Sequence, residues 1–278
     1  MVSLGVFLTP EAERAEELVA VVRAAEEEGL AYVAIQDHPY QRRFLDTWTL
    51  LSYLAATTER IGLLPDVANL PLRPPAVLAK SAASLDVLSG GRVELGLGAG
   101  AFWEGIEGLG GPVRSPGESV DALAEAIEVI RAMWAADGPV DAGGETYSLK
   151  GAKPGPAPAH PIGIWLGAYG PRMLRLTGRA ADGWLPSLPR LPLDEVPARQ
   201  QAIDEAARKA GREPSDVRRV ANVSSGEGFL EGPASGWGDE LASVAERLGF
   251  DTFMAPAATV DDVRELGQAG RRLGELTG

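Results

Sequence analysis

Short apolar stretches alternate along this chain with longer segments whose apolar residues recur every three or four positions. The short stretches predict β-strands, and the longer ones predict amphipathic helices. The predicted strands cover residues 2–7, 31–35, 61–67, 92–97, 162–166, 184–186, 217–223 and 252–254. The predicted helices cover residues 9–29, 46–58, 75–88, 115–134, 171–179, 196–210, 240–248 and 260–276.

Eight strand–helix units in one chain predict an α/β fold, a (β/α)8 TIM barrel with insertions that forms a single domain over residues 1–278. Residues 138–160 are rich in Gly and Pro and carry one strand signal, at 146–149, so we expect an excursion there. The glycine-rich residues 224–238 predict a flexible loop that could cover a site. A doubly wound open sheet is the alternative, but it needs a break between two halves that this pattern lacks.

Composition narrows the class of protein. Hydrophobic residues make up 45% of the chain, yet no stretch approaches the roughly 18 apolar residues of a membrane span. The chain has no cysteine, which excludes disulfides and thiolate chemistry. A net charge of −13 argues against nucleic acid as a partner. The first residues carry no signal-peptide pattern, and we therefore expect a cytoplasmic protein without a membrane partner.

The glycine run after the fourth predicted strand matches a nucleotide-binding pattern, Gly96-x-Gly98-x-x-Ala101. That fingerprint needs a helix that opens on its last small residue. The glycines and proline of residues 102–112 predict no helix, and the next helix begins with a Ser-Pro-Gly-Glu capping box at residues 115–118. The run therefore predicts a roomy loop at the end of a strand.

In a TIM barrel, function lies at the carboxyl ends of the strands. His38 leaves the second predicted strand, where it could be structural or could move a proton. The adjacent Asp37 could orient the imidazole or raise its pKa. His160 and Asp182 precede predicted strands, at the opposite end, so we expect structural roles there. Two histidines at opposite ends argue against a metal cluster.

Three further strand exits carry candidate residues. Asp66 ends the third strand, where it could carry a proton or merely cap a turn. Gly98, Ala99 and Gly100 end the fourth, where they could form a turn or let the backbone approach a flat ligand. Phe102 and Trp103 could form the wall of a substrate pocket or a lid packed on the barrel itself.

The turn after the fifth strand offers a phosphate site. Pro171 fits the first position of a helix, which makes Gly170 its cap. A cap without a hydroxyl or carboxyl side chain leaves backbone N–H groups free for an external anion, and Arg172 adds positive charge. An ordinary glycine cap is the alternative.

These motifs together resemble the luciferase-like monooxygenase superfamily, in its branch of flavin- and deazaflavin-dependent oxidoreductases. The resemblance covers nearly the whole chain and rests on the order of motifs that are weak one by one. They are Asp37-His38-Pro39, the stretches at 74–80 and 85–92, the glycines at 96, 98 and 100, the Gly-Ala-Tyr-Gly-Pro-Arg turn at 167–172, and Ala-Asp-Gly-Trp at 181–184.

The resemblance implies a barrel, often dimeric, that binds FMN or coenzyme F420 at the carboxyl ends of its strands. It implies that His38 lies beside the reactive ring as acid or base, and that Asp66–Val67 is a non-proline cis peptide supporting the ring. The ribityl chain and phosphate would be held by Gly98–Gly100 and by the turn of Tyr169, Gly170, Pro171 and Arg172.

Two departures from the family pattern bear on the reaction. Luciferase-type members carry an arginine for the FMN phosphate near the position of Ala99. Sugar-phosphate dehydrogenases of the deazaflavin branch carry a tryptophan where this chain has Arg42. Neither light emission nor that sugar substrate therefore follows. The Asp-His form of the histidine motif favours F420 over FMN.

We therefore expect an oxidoreductase that transfers a hydride between F420, or a flavin, and a small organic substrate, with His38 moving a proton. An FMN-dependent monooxygenase is the alternative. A cofactor-binding barrel without activity is a second class. A sugar-phosphate isomerase is a third, but it predicts acidic residues at more strand ends than the two found here.

Overall fold

The computed structural model describes residues 2–135, 137–226 and 228–278, and its strands and helices alternate as the hydrophobic pattern predicts. The strands are β1 (Ser3–Leu8), β2 (Tyr32–Ile35), β3 (Gly62–Pro65), β4 (Ala68–Asn69), β5 (Leu95–Gly98), β6 (Val140–Gly143), β7 (Ser148–Ala152), β8 (Ile164–Leu166), β9 (Gly183–Trp184), β10 (Arg218–Asn222) and β11 (Thr252–Pro256). The helices are α1 (Ala15–Glu27), α2 (Thr47–Ala55), α3 (Pro75–Ser89), α4 (Trp103–Gly108), α5 (Pro116–Ala135), α6 (Pro171–Ala180), α7 (Val196–Lys209), α8 (Gly238–Leu248) and α9 (Val260–Thr277).

The parallel strands form the predicted barrel, with hydrogen-bonded order β3-β2-β1-β11-β10-β9-β8-β5-β4. The third barrel strand is divided, because β3 and β4 are separated by the peptide of Asp66 and Val67. The first half pairs with β2 and the second half pairs with β5. An isolated parallel bridge between Leu63 and Val93 then brings the two ends of the sheet together. Eight strand positions therefore nearly close into a ring.

Apolar side chains fill the interior of the barrel. One buried cluster lies inside the ring of strands and consists of Ala34, Leu64, Trp165, Leu185, Val220 and Met254. A larger cluster packs the helices against the outer faces of the strands. The inner cluster leaves little space, since a Cβ added to Gly183 would lie 2.6 Å from Cδ1 of Trp165. The two ends of the barrel are therefore separate environments.

One prediction about the glycine loop is wrong. Residues 102–112 were expected to contain no helix, but α4 occupies Trp103–Gly108. Phe102 turns the chain into this helix with a left-handed φ of 57°. The indole of Trp103 then packs on Gly100, where an added Cβ would lie 2.7 Å from Cη2. The predicted capping box at the start of α5 is confirmed, because Ser115 and Glu118 each accept the other's backbone N–H.

Other segments also differ in detail from expectation. The first helix does not begin at residue 9: a 3-10 turn, Ala12–Arg14, precedes α1. The excursion at 138–160 is a hairpin of β6 and β7, so its strand signal lies two residues later than predicted and has a partner strand. Within the described part of the loop at 224–238, Ala234–Gly236 form a 3-10 turn.

Candidate active site

A cavity of about 650 Å³ opens at the carboxyl ends of the barrel strands, an end that we call the mouth. Most of the predicted site residues line it, and they come from four different strand exits. The predicted residues in its wall are Asp37, His38, Asp66, Val67, Gly98, Ala99, Gly100, Phe102, Tyr169 and Gly170. Three predicted residues, Trp103, Pro171 and Arg172, are not in its wall.

The imidazole of His38 lies in this wall, held by two aromatic side chains. Its Nδ1 is 2.6 Å from the hydroxyl of Tyr40. The ring of Phe102 meets it edge-on, with centroids 5.6 Å apart. Burial lowers the pKa of His38, and the positive charge of Arg190 lowers it further, although Asp37 acts in the opposite direction. The imidazole is therefore neutral at neutral pH.

Tyr40 keeps its own proton in this environment. Burial and the nearby charge of Asp37 raise the pKa of Tyr40 to about 12. A neutral phenol beside a neutral imidazole forms a hydrogen bond whose direction depends on the imidazole tautomer. The pair fixes the orientation of the His38 ring at the edge of the cavity.

Of the two roles considered for Asp37, orienting the imidazole falls to Tyr40, whereas the charge of Asp37 does act to raise the pKa of His38. The carboxylate of Asp37 is instead held by Arg73, with Nε and Nη2 at 2.6 and 2.7 Å from its two oxygens. It also accepts the backbone N–H of Asn69 at 2.9 Å. A carboxylate with three donors of this kind is committed to structure, so Asp37 acts on His38 through its charge alone.

The third strand is interrupted where the resemblance implied. The peptide between Asp66 and Val67 is cis, as expected. The Val67 side chain projects between two strand ends: a Cβ on Gly98 would lie 2.6 Å from its Cγ2, and one on Gly167 would lie 3.6 Å from its Cγ1. Glycine at these positions therefore leaves room for Val67 in the cavity wall.

Three oxygen atoms at the mouth are buried without a hydrogen-bond partner among the described residues. They are Oδ2 of Asp66, Oδ1 of Asn69 and Oδ1 of Asn222. All three residues line the cavity. Burial raises the pKa of Asp66 to about 7, and the side chain of Asn222 offsets only part of that shift. Unpaired buried acceptors are costly, so this wall suits a ligand that brings N–H or O–H groups.

The start of α6 presents free backbone N–H groups, as predicted. Gly170 is its N-cap without a side-chain hydrogen bond, and Pro171 occupies the first turn. The hydroxyl of Tyr169 accepts the backbone N–H of Ser187 at 2.8 Å, which fixes the turn. Arg172 points elsewhere: its Nη2 is 2.7 Å from Asp121 of α5. The guanidinium expected at the phosphate site is therefore turned toward the outside of the barrel.

Sequence reasoning missed more than half of the wall residues, among them the polar residues Tyr40, Asn69, Ser187, Arg190 and Asn222. Asn222 ends β10, and Ser187 and Arg190 follow β9, so the strand-exit rule applied to those strands would have found them. Tyr40 and Asn69 lie within three residues of candidates, but nothing in the sequence shows which way their side chains point. The sequence therefore predicted the correct end of the barrel, but not all of the side chains that line the cavity there.

At the amino ends of the strands, which we call the foot, Asp86 and Asp182 accept backbone N–H groups. Asp86 accepts the backbone N–H groups of Val93, Ala159 and His160, and its Oδ1 is 2.8 Å from Nδ1 of His160. Asp182 accepts the backbone N–H of Ile164 at 2.9 Å. His160 and Asp182 thus have the structural surroundings that we expected of them.

Two kinds of feature are absent from the described residues. No group of three or more His, Cys, Asp or Glu side chains in this part of the chain is arranged to hold a metal ion. No helix in the described ranges has the length and apolar character needed to cross a membrane.

Comparison with known proteins identifies a family. The sequence model of luciferase-like monooxygenases matches residues 2–225. An F420-dependent glucose-6-phosphate dehydrogenase of Nocardia farcinica is 33% identical over 230 residues, which are 79% of this chain and 67% of that protein. An uncharacterized protein of Mycobacterium tuberculosis is 39% identical over 142 residues, 51% of this chain. That match spans 48%, about half, of the mycobacterial protein's own length.

Solved structures share the fold at low identity. An F420-dependent secondary alcohol dehydrogenase in complex with an F420-acetone adduct superposes with a TM-score of 0.84 at 17% identity, over 98% of this chain and 99% of its own. A riboflavin lyase with modified FMN and riboflavin superposes with a TM-score of 0.84 at 14% identity, over 99% of this chain and 91% of its own. At such identities the likeness concerns the fold alone.

Proposed function

The chain belongs to the luciferase-like monooxygenase family, and from this premise we propose that it transfers a hydride between coenzyme F420 and a small organic substrate. The observation that carries the proposal is the mouth itself. One cavity of about 650 Å³ joins His38, a set of unpartnered buried oxygens and the free start of α6. Ligand sites on TIM barrels lie at this end.

The residues present fit such a cofactor. Asn69 and Asn222 offer hydrogen-bond acceptors to the N–H and O–H groups of a heterocycle and its hydroxylated chain, and Asp66 presents a further buried oxygen to the same ligand. Gly170 offers the N–H end of α6 to a phosphate. When bound, the cofactor supplies the two-electron chemistry, and the protein supplies binding, orientation and exclusion of water.

His38 would hold and release the proton that accompanies the hydride. Its lowered pKa keeps it neutral, so one ring nitrogen carries a proton and the other accepts one. We assign the proton to Nε2, since the hydroxyl of Tyr40, which does not ionise at neutral pH, can then donate to Nδ1. Phe102, more than half exposed, shields one side of this pair from water.

FMN-dependent monooxygenation is the second candidate. The mouth has no arginine at position 99, where luciferase-type members carry one, and Ala99 lines the wall. The F420-dependent dehydrogenase of Nocardia farcinica is a relative over most of this chain, which favours F420. Its sugar phosphate does not transfer with it, since Arg42 replaces the tryptophan of that group and lies exposed outside the cavity wall.

Binding and reoxidation of the two cofactors test the proposal together. Purified protein is titrated with F420 and, separately, with FMN, and binding is followed by the absorbance and fluorescence of the ring. We expect F420 to bind more tightly, and the reduced complex to remain reduced in air. Tighter binding of FMN, with rapid reoxidation by oxygen, would favour the monooxygenase. Failure of both rings to bind would contradict any cofactor role.

The homodimer implied by the resemblance is also a proposal. Apolar side chains lie exposed on two neighbouring helices: Tyr53 of α2 is 59% exposed, and Val77 and Leu88 of α3 are 63% and 82% exposed. A second copy of this chain is the occupant that we propose for this surface. Light scattering should give twice the mass of the chain, and Val77→Glu combined with Leu88→Glu should give the monomer mass.

A further inference from the structure

Three aspartates are buried in the described part of the chain, and one of them differs from the others. Asp37, Asp66 and Asp86 are 2%, 8% and 0% exposed. Asp37 is paired with Arg73, and Asp86 accepts three backbone N–H groups and contacts His160. Asp66 has an unpartnered Oδ2. A hydrogen bond from the side chain of Asn222 compensates only part of the cost of a buried charge on this carboxyl.

Among the described residues that line the cavity, no cation is paired with Asp66. The titratable or charged side chains that share the cavity wall with it are Asp37, His38, Tyr40, Tyr169 and Arg190. Tyr169 is uncharged, because burial raises its pKa, and the charge of Asp66 raises it too. Arg190 lowers the pKa values of His38 and Tyr169 but is not among the causes that shift Asp66.

Arg73, which follows the third strand, is already engaged. Arg73 contacts both Asp37 and Asp46, at 2.6 and 2.7 Å. Without a cation, burial is the leading influence on Asp66 and raises its pKa to about 7. In the free protein this carboxyl therefore exchanges a proton near neutral pH.

The neighbours of Asp66 define the chemistry of a ligand. Asn69, 6% exposed, and Asn222 each present an unpartnered buried oxygen to the same cavity. A ligand that covers this floor removes the remaining water, which penalises the ionised carboxylate further. A neutral carboxyl can donate its O–H, whereas the two amide oxygens accept. The matching ligand edge carries both a carbonyl-type acceptor and N–H or O–H donors.

We propose that Asp66 is a proton-carrying recognition residue, protonated in the filled site, which donates its O–H to an acceptor on the bound ring. Asn69 and Asn222 accept from the donors of that ring. The inference rests on the proposed function, because it takes the ring cofactor as the occupant. If Asp66 is ionised before the ligand binds, it takes up a proton from solvent on binding. Binding therefore takes up a proton above neutral pH, and affinity falls as the pH rises.

The dissociation constant of the bound ring, measured from about pH 6 to about pH 9, tests the linkage. For the unmodified protein we expect the constant to rise by about tenfold per pH unit above the free pKa of Asp66. Asp66→Asn mimics the neutral acid and should bind the ring with a constant that changes by less than about twofold over that range. Asp261→Asn, an exposed acid of α9, is the matched control and should keep the full pH dependence.

Two measurements follow the protonation of Asp66 without depending on enzyme turnover. Calorimetry in buffers of different ionisation enthalpy should show proton uptake above neutral pH for the unmodified protein and none for Asp66→Asn. Infrared difference spectra of the free protein, unmodified minus Asp66→Asn, should show a protonated carboxyl band that is lost near pH 7. A band lost below about pH 5, in the ordinary range of aspartate, would overturn the proposal.

The outcomes separate this inference from the proposed function. Ring binding with a pH-independent dissociation constant, or with the same pH dependence in Asp66→Asn, overturns the role of Asp66 and leaves the cofactor assignment intact. Absence of ring binding by the unmodified protein at every pH overturns the proposed function and removes the ring as the ligand of Asp66.

Discussion

The acidic and amide side chains at the mouth and at the foot of this barrel have opposite hydrogen-bonding surroundings. At the foot, Asp86 accepts three backbone N–H groups and contacts an imidazole. Asp251 accepts hydrogen bonds from the guanidinium of Arg218, the hydroxyl of Thr252 and the backbone N–H of Arg219. Even Glu94, whose pKa burial raises to about 7, accepts the backbone N–H of Gly163 at 2.6 Å.

At the mouth the corresponding oxygens have no partner. Asp66, Asn69 and Asn222 each leave one buried acceptor unpaired, within one cavity. A buried acceptor that stays unpaired costs roughly 1 to 3 kcal/mol, so three such oxygens in one wall favour a ligand that pairs with them. The difference indicates that polar groups at the foot stabilise the fold, whereas those at the mouth are arranged to bind a ligand.

We expect the largest effect on turnover from replacing His38 at the mouth, and little effect on turnover from replacing His160 at the foot. His38→Asn should lower turnover by about a hundred- to ten-thousand-fold, because the proton carrier is lost, with the ring still bound. The matched variant His160→Asn, at the foot, should retain turnover and lose only stability. Steady-state rates with ring titrations check both. Equal losses of turnover in the two variants would contradict the assignment of catalysis to the mouth alone.

The next effect concerns stability alone. Asp86→Asn should lower the free energy of unfolding by about 2 to 3 kcal/mol, since an amide group then faces backbone N–H groups that need an acceptor. The dissociation constant of the ring should change by less than about twofold, because the foot lies apart from the mouth. Urea unfolding and a ring titration provide the two numbers. A large loss of ring affinity would show that the ends are coupled.

Tyr40→Phe should have a smaller effect at the mouth. Losing the hydrogen bond to Nδ1 of His38 should reduce turnover by about three- to tenfold. It should also move the ionisation of His38 in the pH–rate profile to higher pH, since a bond that favours neutral imidazole is gone. Tyr32→Phe at the foot, where the hydroxyl contacts Arg218, is the control and should leave the profile unchanged. A profile unaltered by Tyr40→Phe would contradict the assigned tautomer.

The smallest effect tests the start of α6. Arg172 is half exposed and paired with Asp121, so Arg172→Ala should weaken ring binding by only about two- to fivefold, through long-range charge. The same change at Arg131, which contacts Asp182 at the foot, should have no effect on binding. Titrations at low and high salt measure this. A hundredfold loss for Arg172→Ala would mean that its side chain turns inward to the phosphate.

The barrel and the place of the site could be predicted from the sequence, because both follow local patterns. Hydrophobic periodicity defined eight units, and the strand-exit rule placed His38 and the glycines at 98 and 100 in one cavity wall. The cis peptide of Asp66–Val67 was reached by family resemblance. These features depend on a few neighbouring residues or on motif order.

Side-chain pairings could not be predicted. The ion pair of Arg73 and Asp37 joins residues that are 36 positions apart in the chain. The ion pair of Arg172 and Asp121 joins residues that are 51 positions apart. Such pairs depend on how helices and loops pack in three dimensions, which periodicity does not encode. The short helix α4 was missed for a similar reason: the packing of Trp103 on Gly100 outweighs the low helix propensity of its glycines.

A crystal structure of the protein with oxidised F420 tests the central claim most directly. The account predicts the ring in the mouth beside His38, with ring donors and acceptors within about 2.7 to 3.2 Å of the oxygens of Asp66, Asn69 and Asn222. A ring bound elsewhere, or a ring in the mouth that leaves those three oxygens unpaired, would contradict it.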